Sequence, residues 1–215
     1  AKLEADQIEL QPEWISLRKL VTGASRQVWP IVEERGQVID VEIDGAVEVC
    51  VDPLLSRQIL INLLANAAKF SPDDSTIRVR FRDLGSRFAI DVIDRGCGIP
   101  KGALAKLGRP FVQAKTGQEV SGGMGLGLYI ARSYLDLHAA ALSISSEVGE
   151  GSTMRTCWPA SRLRLAGCPR EDSADALASC RDCLQSDPTQ RCTRAVLGGK
   201  SGAVRRTGRR VQSLP

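Results

Sequence analysis

The stretch from Ser121 to His138, SGGMGLGLYIARSYLDLH, holds four glycines within six positions and then continues into an apolar, helix-forming run. Glycines free backbone N–H groups for a ligand, and the start of a helix also favours negative charge. The stretch therefore predicts a phosphate-binding loop at the beginning of a helix. It lacks the Gly-Lys-Ser/Thr of the Walker pattern and does not fit a dinucleotide fingerprint. A loop that is merely flexible has the same composition, so the assignment depends on other segments.

A second segment, DPLLSRQILINLLANAAKF, predicts a long helix with Asp52 as N-cap and Pro53 in the first helical position. Asn62, Asn66 and Lys69 are spaced by four and three residues, which places their side chains along one helix face. Asparagine is a poor helix former, so two of them in one helix need a reason. Either both amides are buried and satisfied by backbone groups or water, or the polar face contacts a ligand. In the second case, an amide oxygen suits Mg²⁺ and a lysine suits phosphate.

The turn DRGCGIP is the third informative segment, because it follows an alternating strand directly. Asp94 ends that strand, and Gly96 and Gly98 allow a tight bend and a close backbone approach. A carboxylate held there could accept a hydrogen bond from an amino group such as the exocyclic amine of adenine. A simple turn that begins with aspartate is the alternative.

Alternating apolar residues predict six strands, namely VIDVEI, VEVCV, TIRVRFRDL, FAIDVID, ALSISSEV and STMRTCWP, and WISLRKLVTGASRQVWPIVEERG predicts one or two helices. No apolar run approaches the roughly 18 to 20 residues of a membrane span. The charged start AKLEADQIEL does not resemble a signal peptide.

Charge divides the chain near residue 160. Residues 1–160 contain 18 Lys or Arg and 20 Asp or Glu, a net of −2, whereas residues 161–215 contain 11 and 5, a net of +6. The basic excess therefore belongs to a tail that contains four of the seven cysteines and is poor in large apolar groups, and we expect this tail to be disordered. Aromatic residues are only 4% of the chain, which argues against nucleic-acid binding.

The order of the segments NLLANAAKF, DRGCGIP, RPFVQ, GGMGLGL and GEGSTM resembles the N, G1, F, G2 and G3 boxes of the ATP-binding domain of sensor histidine kinases. These kinases belong to the wider GHKL superfamily, with gyrase, mismatch-repair and heat-shock-chaperone ATPases. The resemblance covers residues 13–160 and implies an α+β fold, a two-layer sandwich with a mixed sheet, helices on one face and a flexible ATP lid from Gly108 to Gly122. It also implies that residues 1–12 end a dimerisation and phosphoacceptor helix and its linker, and that 161–215 is a tail.

The resemblance implies ATP and Mg²⁺ as cofactors and assigns roles by position. Mg²⁺ is expected on Asn66, adenine on Asp94, and the phosphates on Asn62, Lys69 and the glycine loop; Asn62, Asn66 and Lys69 are the expected catalytic residues. The remaining expected ATP-binding residues, with Thr153 as a support for the adenine site, are Phe70, Gly96, Gly98, Ile99, Phe111, Gly123, Gly125, Leu126, Gly127, Leu128 and Thr153.

Asn62 stands where hydrolytic members of the superfamily carry a general-base glutamate, and an amide cannot accept that proton. The resemblance therefore implies transfer of the γ-phosphoryl group to a histidine on a dimerisation domain, for relay to a response regulator. The only histidine, His138, is expected at the far end of the helix that begins at the glycine loop, so no self-phosphorylation is expected. We expect a cytoplasmic domain without membrane contact, whose parent kinase can be anchored upstream. A nucleotide-dependent binding module (pseudokinase or anti-sigma type) and a serine or lysine kinase of the same fold are the alternatives.

Two departures from the family pattern are visible. The F box usually starts with a second aromatic residue, where this chain has Gly108, which bears on how the lid docks. After His138 the family commonly has two glycines, where this chain has Ala139 and Ala140. If either alanine must adopt a positive φ to end the helix, the cost is about 1 kcal/mol.

Overall fold

The computed structural model describes residues 8–112 and 125–166, and these contain eight strands and four helices. In chain order the elements are β1 (Glu13–Ser16), α1 (Leu17–Glu34), β2 (Val38–Glu42), β3 (Val47–Val51), α2 (Pro53–Phe70), β4 (Thr76–Asp83), β5 (Arg87–Asp94), α3 (Lys101–Leu104), α4 (Gly127–Leu137), β6 (Ala141–Glu147), β7 (Gly151–Pro159) and β8 (Leu163–Leu165).

Five of the strands form a mixed sheet in the order β2-β4-β5-β7-β6. Strands β2 and β4 are parallel, and every other neighbouring pair in this sheet is antiparallel. Helices α1, α2 and α4 pack together over this sheet. Because side chains alternate across a strand, every second residue of the central strands is buried against the helices: Ile77, Val79, Phe88, Ile90, Val92, Met154, Thr156 and Trp158. The expected α+β sandwich with a mixed sheet is confirmed.

Helix α2 begins as its sequence predicts. The side chain of Asp52 accepts hydrogen bonds from the N–H groups of Leu54 and Leu55, at 3.0 and 3.1 Å, and Pro53 occupies the first turn. These bonds satisfy two of the N–H groups that have no partner within the helix. The helix then buries an apolar face against the sheet, and its two asparagines are only half-buried at the edge of that face.

A second, three-stranded antiparallel sheet has the order β1-β3-β8 and was not predicted. The segment expected to hold one or two helices contributes both β1 and α1. Strand β8 lies beyond the expected domain boundary at residue 160, so the prediction of a disordered tail from 161 is wrong for residues 161–166. Leu163 is buried, and Arg164 pairs with Glu48 (2.7 Å) and lies over the Trp14 ring. These contacts offset the cost of ordering the strand. Residues 1–7 and 167–215 lie outside the described residues.

Helix α4 ends at Leu137 with His138 as its C-cap, and Ala139 adopts φ +55° directly after the cap. The alanine therefore occupies the left-handed position at which the family commonly has glycine, and we expect it to cost about 1 kcal/mol relative to glycine. Within the described residues, none of the helices has both the length and the apolar character that crossing a bilayer requires.

Candidate functional site

The polar face of α2 contacts the start of α4 at Asn62. A side-chain carbon placed on Gly127 would lie 3.7 Å from Asn62 Oδ1, in ordinary van der Waals contact, so Gly127 and Asn62 are neighbours. Asn62 Oδ1 accepts a hydrogen bond from Gln58 Nε2 (3.2 Å), whereas its buried Nδ2 finds no partner among the described residues. A buried donor without a partner is rare in a native protein. An acceptor from a ligand would satisfy it.

Asn66 and Lys69 continue the same face towards the end of α2, and both are half-buried. Lys69 Nζ lies 5.4 Å from the centre of the Phe70 ring, within the range of a cation–π contact. Phe70 itself is 38% exposed, which leaves its ring accessible at the mouth of the site. The predicted face is therefore present, with the amides, the ammonium group and the aromatic ring in sequence along it.

The turn after β5 holds Asp94 in a fixed orientation. Its carboxylate is only 7% exposed, and Oδ1 accepts hydrogen bonds from the N–H groups of Gly96 (2.8 Å) and Ser152 (3.2 Å). Oδ2 receives no hydrogen bond from any described residue, which leaves one carboxylate oxygen available for an amino group. The turn is therefore more than a simple reversal of the chain.

Burial raises the pKa of Asp94 above its usual value, and the two N–H donors from Gly96 and Ser152 oppose that shift. Desolvation disfavours the charged form of a carboxyl group, and hydrogen bonds to the carboxylate favour it. Because burial has the larger effect, the ionised side chain is held at a cost to folding. A buried carboxyl group with a perturbed pKa is a candidate for a functional site.

Glycines let the Asp94 turn pack directly on backbone atoms. A side-chain carbon on Gly96 would lie 2.5 Å from the Phe70 carbonyl oxygen, so this turn touches the end of α2. Gly98 has φ +69°, and a side-chain carbon there would overlap the Glu147 carbonyl oxygen at the end of β6. The N–H of Ile99, which is half-buried, donates to Ser146 Oγ at 2.8 Å. The turn is thereby fixed to both α2 and the β6–β7 hairpin.

The start of α4 carries the described part of the glycine loop. Gly125 has φ +69°, and Leu126 occupies the N-cap position without a side-chain hydrogen bond to the helix. The first N–H groups of this helix consequently lack a side-chain cap, as a site for an anion requires. Leu126 and Leu128 are half-buried beside Gly127. Gly123 lies outside the described residues.

Residues 113–122 of the predicted lid lie outside the described residues, as do 123 and 124, but both flanks of this segment are described and meet. A side-chain carbon on Gly125 would lie 3.0 Å from the Val112 carbonyl oxygen. Phe111, just before it, adopts φ +62° and is 68% exposed. Gly108 has φ +82° and faces the Arg132 side chain, whose Nη1 donates to the Leu107 carbonyl oxygen (3.2 Å). An aromatic residue at position 108 would be strained in this conformation.

The structure places Ser152, rather than the expected Thr153, beside the Asp94 carboxylate. Strand β7 pairs Ser152 with Asp94 and Thr153 with Ile93. Because side chains alternate across a strand, Thr153 lies on the opposite face of the sheet from Asp94. Ser152 is the residue that contacts the carboxylate, through its N–H. Only the antiparallel register between β5 and β7 identifies Ser152 as the neighbour of Asp94, and no local sequence pattern reveals that register.

Sequence reasoning also missed Arg35 and Gln37, which bind the carbonyl groups at the end of α2. They lie more than 30 residues before their partners in the chain. No motif marks them.

His138 lies at the far end of α4 and is fully buried. Its Nδ1 lies 2.7 Å from the Tyr134 carbonyl oxygen, and its Nε2 accepts the Asp52 N–H at 3.0 Å. These partners require the neutral ring with the proton on Nδ1. Burial lowers the pKa of His138 below its usual value, and Arg162 acts in the same direction, against the effects of the Tyr134 carbonyl and of Asp52. Both ring nitrogens are occupied, so this histidine joins the N-terminus of α2 to the C-terminus of α4.

Comparison with known proteins assigns the family. Residues 51–162 match the family described as histidine kinase-, DNA gyrase B-, and HSP90-like ATPase. The chain is 36% identical over 166 residues to the circadian input-output histidine kinase CikA of Synechococcus elongatus, a match that covers 74% of this chain and 21% of the relative. It is 34% identical over 160 residues to the histidine protein kinase DivJ of Caulobacter vibrioides, covering 74% of this chain and 27% of the relative.

Among solved structures, full-length ShkA in complex with AMPPNP is similar, with a TM-score of 0.62 and 26% identity over 71% of this chain and 32% of the other. The chain thus spans about a fifth to a third of the length of these multidomain relatives. The match covers the α2 face, the Asp94 turn and the start of α4 alike. The chain therefore belongs to the histidine kinase-, DNA gyrase B- and HSP90-like ATPase family, on the branch of the sensor histidine kinases.

Proposed function

We propose that this domain binds ATP with Mg²⁺ and presents the γ-phosphoryl group to a histidine on a separate dimerisation domain, for relay to a response regulator. The observation that carries the proposal is the convergence of two segments on one helix. The Asp94 turn contacts the last turn of α2, and the start of α4 contacts Asn62. Eight residues of helix, about 12 Å, separate the two contacts, so one nucleotide can reach both.

The adenine end of the nucleotide is assigned to the Asp94 turn. Oδ2 of Asp94 is available to accept from the exocyclic amine, because Oδ1 is already engaged by two backbone N–H groups. Phe70 supplies an accessible ring beside the base. Gly96, Gly98 and Ile99 hold the turn in place through the backbone contacts described above.

The phosphate end is assigned to the start of α4 and to the polar face of α2. The N–H groups around Gly125 and Gly127, together with Lys69 and the unpartnered Asn62 Nδ2, offer donors and positive charge to the phosphates. Phe111 and the rest of the lid would cover the bound nucleotide.

The residues fit Mg²⁺ held jointly with the phosphates. The described residues contain no cluster of three or more His, Cys, Asp or Glu side chains that would hold a metal ion without a substrate. Mg²⁺ usually keeps several waters and takes one or two protein ligands plus phosphate oxygens, so the amide oxygen of Asn66 is a sufficient protein ligand. The ion would supply neutralisation of phosphate charge.

The transfer breaks the bond between the γ-phosphorus and its bridging oxygen, forms a bond from phosphorus to an imidazole nitrogen, and leaves ADP. Because position 62 offers an amide rather than a carboxylate, the described site has no general base there to activate water. Transfer to histidine is therefore favoured over hydrolysis. The relatives are kinases rather than nucleotide-dependent binding modules, which favours the same choice.

The test is calorimetric titration of the chain with ATP, once with Mg²⁺ and once with EDTA. Wild type is expected to bind more tightly with Mg²⁺, and Asn66→Ala is expected to bind equally in both conditions, because only the metal ligand is removed. Trans-phosphorylation with γ-labelled ATP and a dimerisation domain that carries the acceptor histidine should follow binding. Equal Mg²⁺ dependence in wild type and Asn66→Ala would contradict the metal assignment.

A further inference from the structure

The last turn of α2 is held from outside the site by Arg35, the C-cap residue of α1. Its guanidinium donates to the carbonyl oxygens of Ala68, Lys69 (2.9 Å) and Ser71 (2.8 Å). The same group pairs with Asp73 through Nε at 2.8 Å. A cation at a helix C-terminus is favourable, and the last carbonyl groups of a helix otherwise lack partners. One arginine thus binds three consecutive or near-consecutive carbonyl groups.

Gln37, the residue before β2, binds the same end of α2. Its side chain is buried, and Nε2 donates to the carbonyl oxygens of Ala68 (3.0 Å) and Pro72 (2.9 Å). Ser71, the C-cap residue of α2, has an extended backbone conformation, so the helix ends without a left-handed glycine cap. The end of α2 is therefore capped by side chains from a distant part of the chain.

The other side of the same turn faces the nucleotide site. The Phe70 carbonyl oxygen accepts the Cys97 N–H at 3.3 Å, within the turn that follows Asp94. The carbonyl group of Lys69 thus binds Arg35, and the carbonyl group of the next residue, Phe70, binds the Asp94 turn. The orientation of the Lys69 side chain depends on where these two contacts hold its backbone.

We propose that Arg35 is a positioning residue for ATP, which holds the last turn of α2 so that Lys69 meets the phosphates. The inference rests on the proposed function, in which Lys69 binds phosphate. Arg35 touches the backbone of this turn and is assigned no contact with the nucleotide. Its effect on ATP binding therefore passes through Lys69, and it disappears when the Lys69 side chain is removed.

The experiment is a double-mutant cycle in ATP binding, with Arg35→Met, Lys69→Ala and the double variant titrated by calorimetry with MgATP. Arg26→Met is the matched control, since Arg26 is exposed on the same helix and its loss changes the charge equally. Titrations are made at a temperature at which circular dichroism shows each variant fully folded, so that a lower melting temperature does not affect the affinity.

We expect Arg35→Met to weaken ATP binding roughly 5- to 20-fold, which lies within the range of coupling between contacting residues. Arg26→Met should stay within about twofold of wild type. In the Lys69→Ala background, Arg35→Met should add no more than about twofold. Arg35→Lys is expected to recover part of the loss, because an ammonium group keeps the charge but cannot bind three carbonyl groups in the plane of a guanidinium.

Two results would overturn the inference. Unchanged affinity of Arg35→Met would show that the cap does not influence the nucleotide. An equal loss in the wild-type and Lys69→Ala backgrounds would show that Arg35 acts by general loosening and not through Lys69. Failure of the proposed function gives a different result, because wild type and Arg26→Met would then not bind ATP.

Discussion

Asp94→Asn should separate ligand binding from stability, because the two properties are expected to change in opposite directions. The asparagine Oδ1 can accept both N–H groups that Asp94 Oδ1 accepts, from Gly96 and Ser152. The amide nitrogen then takes the place of Oδ2. It presents a donor to the adenine amine, which is also a donor. Loss of a charge-assisted hydrogen bond is worth about 1.5–3 kcal/mol, so MgATP affinity should fall at least about tenfold.

The unliganded domain should not be destabilised by the same change. Because burial raises the pKa of Asp94 in the folded state, the folded protein binds this proton more tightly than the unfolded chain does. The resulting stability is fully present below the unfolded pKa of about 3.9 and is lost as the pH rises through the folded pKa. At pH 7 the ionised carboxylate is therefore a cost, and asparagine removes it. Stability should therefore rise, and each gain of about 1 kcal/mol would raise the melting temperature by roughly 2–4 °C.

Asp91→Asn is the matched control, since Asp91 lies three residues earlier in β5 on the opposite face of the sheet. Its fully buried carboxylate pairs with Arg155 through two bonds (2.7 and 2.9 Å) and with Arg82 at 3.0 Å. Asp91→Asn should cost roughly 1–3 kcal/mol of stability and leave MgATP affinity unchanged. Differential scanning fluorimetry between pH 4 and 7 and calorimetric titration measure both properties. Affinity of Asp94→Asn within threefold of wild type would refute the adenine assignment, and a melting temperature lower by more than 5 °C at pH 7 would refute the argument from burial.

Three further predictions follow from the fold. Gly98→Ala should cost at least about 3 kcal/mol in urea unfolding, because it combines a positive φ with overlap of the Glu147 carbonyl oxygen, whereas Gly45→Ala, with φ +72° and open space, should cost about 1 kcal/mol; equal costs would contradict the close packing of the Asp94 turn. A chain that ends at Ala166 should have the melting temperature of the full chain. A chain that ends at Arg162 should lose roughly 1.5–3 kcal/mol of stability, because buried Leu163 is removed. Stability should fall as the pH is lowered through about 6.5, because His138 takes up a proton in the unfolded chain but not in the folded protein. The slope should reach up to about 1.4 kcal/mol per pH unit, and His138→Gln should reduce it.

Features specified by neighbouring residues were predictable from the sequence. Asp52 and Pro53 mark the start of α2 because an N-cap acts on N–H groups two and three positions later. The alternation in β4 and β5 predicts strands because successive side chains of a strand point to opposite faces of the sheet. The order of glycines and polar residues identified the family before any geometry was known.

Features specified by distant pairings were not predictable in the same way. Thr153 and Ser152 differ only by one position of register, and a shift of one residue in a strand moves a side chain to the other face of the sheet. Strand β8 is three residues long and gains its stability from pairing with β3 more than 110 residues earlier in the chain. Arg35 likewise finds its carbonyl partners 33 to 36 residues away. Such contacts leave no local pattern in the sequence.

The single histidine determines how this domain can take part in phosphotransfer. A nucleophilic imidazole must bring a nitrogen with a free lone pair within about 3–3.5 Å of the γ-phosphorus. His138 is the only histidine in the chain, and its ring is fully buried with one nitrogen bonded to the Tyr134 carbonyl group and the other to the Asp52 N–H. It lies at the opposite end of α4 from the glycine loop, about 16 Å along eleven helical residues. To expose it, the protein would have to break the hydrogen bonds to the Tyr134 carbonyl group and to the N–H of Asp52, the N-cap residue of α2. His138 is therefore not an acceptor for ATP bound at the assigned site, and under the proposed function the phosphoryl group passes to a histidine on a separate dimerisation domain.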